Sequence, residues 1–419
     1  MTLRALNFVH LSDIHFVKDF SDVSKYDLDL GLRQAILRDV ARQRPRFVGI
    51  DGVLISGDIA FAGKVDEYAR AIKWLNEICD AAKCDPGLVW CIPGNHDIDQ
   101  SVQKTYPMLL DSYKALRESS TLDQDLRERL DNDINGPLMF EPLRTYLDHF
   151  GASYDCPTSP KQPWWEDELN LNDGSRLRIR GLNSAICSSR QDDKKDALVI
   201  VGAMQTIYAP EPDVVYMTLC HHPPAWLVDE EECEEALLAH SHIQLFGHKH
   251  LHKHRRINNS VVLSSGAVHP VRTEVKWEPR FYFLSLEVEG KGNNRALKVT
   301  LYPRVWDKTS REFIADKGTD ADGAVTETLS LPPWEGSTNR DEKPEEVAMA
   351  AAVNRKRLIH QFMLLPFHMQ LGILQKLDLF TEEEINNKPD TDLFISSFAR
   401  ARDKGLLDSL WEAIESQGR

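Results

Sequence analysis

What most constrains the fold of this chain is a repeated arrangement in which a short apolar run of strand length gives way to Asp, Asn or His. "ALNFVHLSD" closes on Asp13 with His15 two residues on, and "GVLISGD" closes on Asp58. "GLVWCIPG" runs into Asn95, His96 and Asp97, "DVVYMTLCHHP" reaches His221 and His222, and "HIQLFGHKH" reaches His248 and His250. Several of these runs are nearly continuous in Val, Ile, Leu and Phe, which suits strands buried on both faces. Between the first three lie segments of helical period, "LGLRQAILRDVARQ" and "VDEYARAIKWLNEICDAA". Strand, helix, strand, helix, strand at this spacing predicts right-handed crossovers and a parallel sheet. The later runs "SVVLSSGA", "RFYFLSLEV" and "ALKVTLYPRVW" follow with shorter links and predict a mixed or second sheet. The carboxyl ends of parallel strands share one rim, where loops converge on ligands, so five separated segments are expected to meet there.

Spacing within the segments supports the same site. On extended backbone, residues two apart project to one side, so Asp13 with His15, and His248 with His250, are each expected to aim at one region. Together the segments offer imidazole nitrogen with carboxylate and amide oxygen and no thiolate. That mixture suits divalent manganese, iron, zinc or nickel rather than calcium or magnesium alone. The donors outnumber the needs of one tetrahedral ion. Two ions about 3.5 to 4 Å apart, bridged by one carboxylate, would use them and suit in-line displacement at phosphorus.

Composition narrows the alternatives. The 419 residues are 42% apolar and 27% charged, as in ordinary soluble globular proteins, and no apolar run approaches the roughly 20 residues of a membrane helix. The N-terminus "MTLRALNFVHLSDIHF" has no basic stretch leading into a long apolar core, so a cytoplasmic location is expected. Seven cysteines, at 79, 84, 91, 156, 187, 220 and 233, form no disulfide framework and are expected to be free thiols. A net charge of -15 argues against sequence-blind binding of nucleic acid over the whole surface, though not against a local basic groove. Lys249, Lys253, Arg255, Arg256 and Arg272 would supply one, with a solvated loop as the plainer reading. His222, His252, His254 and His269 are read as supporting or surface histidines.

"HLSDIHF", "ISGDIAFAG", "IPGNHD", "CHHPP" and "FGHKH" resemble the five sequence blocks of the calcineurin-like metallophosphoesterases, over about residues 5 to 290. The resemblance implies an α/β sandwich of two mixed sheets flanked by helices, with a di-metal site on the strand rim. By the family's pattern one ion would take Asp13, His15, Asp58 and His250, and the other Asp58, Asn95, His221 and His248. Manganese is the first expectation for both. His96 would sit over the scissile phosphate and protonate or stabilise the leaving oxygen. Asp97 would orient that imidazole by accepting its other N–H. The "HHPP" block and His96 look most like the cyclic-nucleotide phosphodiesterase and nuclease branches, which points to phosphodiesters of nucleotides or nucleic acid. A phosphomonoesterase, or a scaffold using the fold only for binding, is the alternative.

The domains are expected at 1–335 for the metallophosphoesterase, 336–353 for a linker rich in Pro, Gly and charge, and 354–419 for a small α-helical bundle. Within the first, residues 100–180 read as a helical insertion ending in the loop "PKQPWWEDE", where Trp164 and Trp165 could stack bases, with packing the plainer reading. The bundle resembles the death-like helical adaptor domains of bacterial effectors. A protein partner, or self-association, is expected through it.

Overall fold

A computed structural model describes residues 4–17, 29–189, 199–270, 278–334, 355–387 and 390–417. The expected linker and Arg272 lie outside them.

The three runs that open the chain become strands β1 (Leu6–Leu11), β2 (Gly52–Ile55) and β3 (Val89–Cys91), joined by helices α1 (Leu30–Gln43) and α2 (Val65–Ala82). β1 pairs β2 and β2 pairs β3, both in parallel, with Val9 opposite Val53 and Ile55 opposite Cys91. Both helices bury residues at helical spacing, among them Leu32, Ala35, Ile36 and Val40 of α1 and Tyr68, Ala71, Leu75 and Ile78 of α2. Glu67 closes the start of α2 by accepting from the backbone N–H groups of Ala62 and Lys64 at 2.9 and 3.1 Å.

Ten further strands complete the sheets of the described residues: β4 (Trp164–Asn170), β5 (Arg176–Leu182), β6 (Val214–Cys220), β7 (Ile243–Phe246), β8 (His252–Ile257), β9 (Ser260–Ser265), β10 (Arg280–Glu289), β11 (Ala296–Asp307), β12 (Glu312–Ala315) and β13 (Val325–Ser330). The first sheet runs β12-β11-β10-β1-β2-β3 with β13 also on β11, and the second runs β4-β5-β6-β7-β9-β8. Both are mixed, as expected. In the second, β5, β6, β7 and β9 are parallel neighbours.

The continuity of the apolar runs has a simple cause. Along β6, Val215, Met217 and Leu219 belong to the large core shared with the first sheet, whereas Val214, Tyr216 and Cys220 belong to a second cluster with Cys233 and Leu237 of the helix Glu230–His240. Side chains alternate between faces and both faces are covered, so both sets are mainly apolar, and the buried Thr218 hydroxyl on the second face is satisfied by those of Tyr208 and Ser241.

Three expectations change. The helical stretch after residue 100 ends at Tyr154, and Trp164–Leu182 supplies the first two strands of the second sheet rather than an insertion. Trp165 is 3% exposed and its indole N–H donates to the Cys91 carbonyl at 2.9 Å, so it cannot stack a base. The basic stretch at 252–257 is the edge strand β8, not a loop, and its exposed Lys253 and Arg255 put charge on that edge, which disfavours pairing with another strand. All seven cysteines are free and every one but Cys84 is buried.

The C-terminal residues form short helices, at 355–363 and over Phe367–Lys376, Glu382–Asn387, Asp390–Asp403 and Leu407–Gln417, around their own core of Leu358, Phe362, Leu374, Phe394 and Leu410. Thr381 and Glu384 cap one of them reciprocally. The 355–363 helix is pinned to the sheet domain. Lys356 is buried with its ammonium 2.7 Å from the Tyr154 carbonyl, and His360 stacks on the Tyr154 ring at 5.0 Å.

One buried histidine makes stability depend on pH. His10 on β1 is fully enclosed, its Nε2 3.0 Å from Ser56 Oγ, and burial presses its pKa from 6.5 to about 3 against the pull of Asp13. Folded His10 stays neutral where the unfolded chain takes up a proton, so the unfolded state binds more protons between the two values and stability falls as pH drops below 6.5. The loss expected from this residue between about pH 7.5 and about pH 5.5 is about 1.4 kcal/mol. Thermal melts at the two values should show it, and His10→Gln should shrink the difference; an undiminished difference would assign the effect elsewhere.

Candidate metal centre

Every segment singled out in the sequence ends at the same rim. Asp13 and His15 follow β1, Asp58 follows β2, Asn95 to Asp97 form a short turn after β3, His221 follows β6, and His248 and His250 follow β7. The loops are laced together: the Asp13 N–H donates to Gly57 O, those of Ile14 and His15 to Asp58 O, and that of Gly247 to His221 O, at 2.8 to 3.1 Å.

How the paired residues converge differs from expectation. Asp13, His15, Asp58, His248 and His250 have φ of 53°, 52°, 54°, 68° and 51°, half of the ten non-glycine residues with positive φ among the described residues. The pairs therefore meet through left-handed backbone, not through the alternation of an extended strand. That conformation costs of order 1–3 kcal/mol per residue and persists where the surroundings over-determine it, as here by buried strand ends on both sides. Two glycines make the crowding visible. A Cβ on Gly94 would lie 2.1 Å from Asp58 Oδ1, and one on Gly57, itself at φ +92°, would lie 2.4 Å from His221 Nδ1. Neither position accepts a side chain.

The donors fall into two groups that share Asp58. In the first, His250 Nε2 is 3.3 Å from Asp13 Oδ1 and 3.4 Å from His15 Nε2, which is 3.9 Å from Asp58 Oδ2. In the second, His221 Nε2 is 3.2 Å from Asp58 Oδ2 and 3.1 Å from Asn95 Oδ1, and His248 Nδ1 is 3.0 Å from the same Asn95 oxygen. Donors about 2.0–2.2 Å from one cation stand roughly 3.0–3.5 Å apart, so the second group and the Asp13–His250–His15 part of the first are spaced as ligands of a divalent ion, while the His15–Asp58 pair at 3.9 Å is set wider. Supporting contacts fix the donors from behind: Ser12 Oγ donates to Asp13 Oδ2 at 2.5 Å, and His221 Nδ1 donates to the Ser56 carbonyl at 2.8 Å.

The charges reinforce that fit. Burial alone would raise the Asp58 carboxyl, but the charges of His221, His96 and His15 outweigh it and hold it well below the usual range. Burial likewise opposes ionisation of Asp13, yet His250 and His221 bring it down to about 2. His221 is raised to about 9, since Asp58 and then Asp13 overcome its burial, while burial presses His15 and His248 down to about 3. Two carboxyls held in the ionised form thus face the raised imidazole of His221, and a cation bound there would displace its proton.

His96 stands beside the first group, its ring 4.7 Å from that of His15, and its backbone N–H donates to Asp58 Oδ1 at 2.8 Å. Its Nδ1 is 3.0 Å from the Phe61 carbonyl. This corrects the role expected of Asp97. The Asp97 carboxylate is fully buried and accepts from the backbone N–H groups of Ile59, Ala60 and Gly94 and from the Tyr68 hydroxyl, at 2.8 to 3.2 Å. It clamps the β2 and β3 loops together, and the Phe61 carbonyl orients the imidazole. Burial and then Asp58 push Asp97 up to about 7 against those three backbone donors.

Residues 6–252 match the calcineurin-like phosphoesterase family. The chain belongs to that family. All seven donor residues fall inside the matched span, and residues 354–416 match a GTPase-associated adaptor domain. The chain is similar to the uncharacterized metallophosphoesterase-like protein YydB of Bacillus subtilis, 26% identical over 193 residues that take in 45% of this chain and 35% of YydB. The part matched is thus about a third of that relative's length. Among solved structures it is similar to GAP50, the anchor in the inner membrane complex of Plasmodium, at 12% identity and a TM-score of 0.37 over 83% of this chain and 95% of that one. It is also similar to Chaetomium thermophilum Vps29, at 10% identity and a TM-score of 0.30 over 78% and 100%. No helix among the described residues is long and apolar enough to cross a membrane.

Around the centre the secondary histidines sort as follows. His252 bonds the Tyr282 hydroxyl at 2.6 Å and His254 faces Glu327 at 3.6 Å. His269 Nδ1 lies 2.5 Å from the Ile14 carbonyl, holding the β1 loop. His222 is buried against Ser184 at 2.8 Å, yet it also presents a nitrogen within 4.8 Å of donors on His221 and His248, nearer the centre than expected. Two aromatic residues passed over in the sequence border the centre as well. Phe61, 49% exposed, packs its ring 5.2 Å from His96, and Trp226 sets its ring edge-on to His248 at 4.4 Å. Their only sequence signal is position, three residues past Asp58 and just past "HHPP".

Proposed function

We propose that the chain is a di-metal phosphodiesterase that hydrolyses phosphodiester bonds of nucleotides or nucleic acid. What carries this reading is one set of distances: seven side chains from five loops place their donors in two groups joined by the Asp58 carboxylate. Asp13, His15, Asp58 and His250 would hold one divalent ion, and Asp58, Asn95, His221 and His248 the other, with manganese first and iron, zinc or nickel as alternatives. Two such ions acidify a water and neutralise charge on the transferring phosphoryl oxygens.

The protein's own part in the reaction is proton management and positioning. As water oxygen bonds to phosphorus, the P–O bond to the leaving oxygen breaks with its electron pair, and that oxygen needs a proton. His96 supplies it. Because the Phe61 carbonyl can only accept, Nδ1 carries one hydrogen, and the proton that is transferred would come from Nε2. Residues 354–419 would recruit a protein partner or associate with a second copy, bringing the enzyme to its site of action. A binding scaffold has no need of this donor set.

Hydrolysis of bis-p-nitrophenyl phosphate should appear on adding Mn²⁺ to chelator-treated protein and vanish on chelation. Protein that binds Mn²⁺ yet leaves the diester intact would overturn the reading and favour a scaffold.

A further inference from the structure

The proposal rests on the phosphodiesterase reading and names its substrate class. Phe61 leaves about half of its surface in water although it sits within a buried constellation. It lies beside the first donor group, its ring 5.2 Å from His96 and 6.3 Å from His15. Its backbone is fixed at both ends, the N–H donating to Phe16 O at 3.0 Å and the carbonyl accepting from His96. Trp226 lies beside the second group, 4.4 Å from the ring of His248, and is half-buried. The turn Pro224–Trp226 that carries it follows Pro223 and is tied by Trp226 N–H to Pro223 O at 2.8 Å and by Val199 N–H to Trp226 O at 3.1 Å. One aromatic platform therefore belongs to each donor group, and both are held by rigid backbone.

We propose that Phe61 and Trp226 stack the two bases that flank the scissile phosphate, so that the substrate is an unpaired dinucleotide step, in a short oligonucleotide or at a single-stranded stretch. Every base has a π-face, so such platforms recognise nucleic acid without regard to sequence, and they need the bases splayed from a duplex. A cyclic mononucleotide carries one base and can use one platform. With a net charge of -15 the protein gains little from long-range attraction to a polyanion, which leaves the metal centre's hold on the phosphate and local stacking of the bases as the sources of affinity.

The test compares thymidylyl-(3′→5′)-thymidine with methyl p-nitrophenyl phosphate and 3′,5′-cyclic thymidine monophosphate, using Mn²⁺-loaded full-length protein. The expected order of kcat/KM, corrected for leaving group, favours the dinucleotide, and Phe61→Leu and Trp226→Leu each lower its ratio to the methyl ester at least about five-fold, as loss of one stacked base requires. Phe61→Tyr, which keeps a π-face, should retain the wild-type ratio, whereas a merely structural role for the ring would make Phe61→Leu depress the methyl ester and the dinucleotide alike and leave the ratio unmoved. Calorimetric binding of the dinucleotide to the Mn²⁺-loaded variants gives the same comparison should either variant lose turnover. Unchanged ratios and affinities, or a preference for the cyclic mononucleotide, would overturn the proposal while leaving the phosphodiesterase standing. Failure of the wild type on all three substrates, the methyl ester included, would remove both.

Discussion

Asp58→Ala is expected to lose bound metal and to cut hydrolysis of bis-p-nitrophenyl phosphate by more than about 100-fold, since even residues behind the ligands of a metal site cost 10–100-fold when changed. The size of the effect follows from how many contacts end on one carboxylate. Asp58 Oδ2 lies between His221 and His15, and Oδ1 accepts the His96 N–H while pressed against Gly94. Its loss also removes the main charge that raises His221. Elemental analysis of Mn²⁺-loaded protein should then fall from two ions toward one or none. Asp58→Asn keeps an oxygen for the His96 N–H, so it should keep the fold, checked by thermal melting, while still losing metal. Full metal content and full activity in both variants would remove the central role assigned to this residue.

His96→Ala should lower kcat by about 10²- to 10⁴-fold on a dinucleotide, whose leaving alkoxide must be protonated, with metal content unchanged. On bis-p-nitrophenyl phosphate the loss should be far smaller, because p-nitrophenolate leaves without help. That contrast separates a proton donor from a residue that only positions the centre. His96 packs against His15 and Phe61, so a purely structural role would depress both substrates alike. Equal losses on the two substrates would therefore reject the acid role.

The donor residues were legible because chemistry at a strand rim leaves a local mark: an apolar run, then an abrupt Asp, Asn or His. The same mark showed the order of the first strands and helices, and the helical bundle after residue 354. Other features were not local. Trp164 and Trp165 sit among Pro, Gln and acidic residues, yet they begin the strand that edges the second sheet, because Arg176–Leu182, where Arg alternates with the buried Leu177 and Ile179 just after the turn residues of "NDGS", offers a partner strand. Arg176 and Arg178 lean on Glu168 across that pair, so the outer face is held by cross-strand charge while Leu177 and Ile179 on the inner face join the core. Asp97 could not be assigned from its place next to His96, since adjacent residues face different ways and its partners come from the β2 loop and α2.

The sequence by itself determined which residue types supply the donors, that they stand at strand ends, and which family the blocks resemble, because covalent order and hydropathy are written locally. Only the tertiary structure decided how the donors meet. Five of them turn inward through left-handed backbone that no residue but glycine prefers, and that conformation exists only where packed loops from two sheets enforce it.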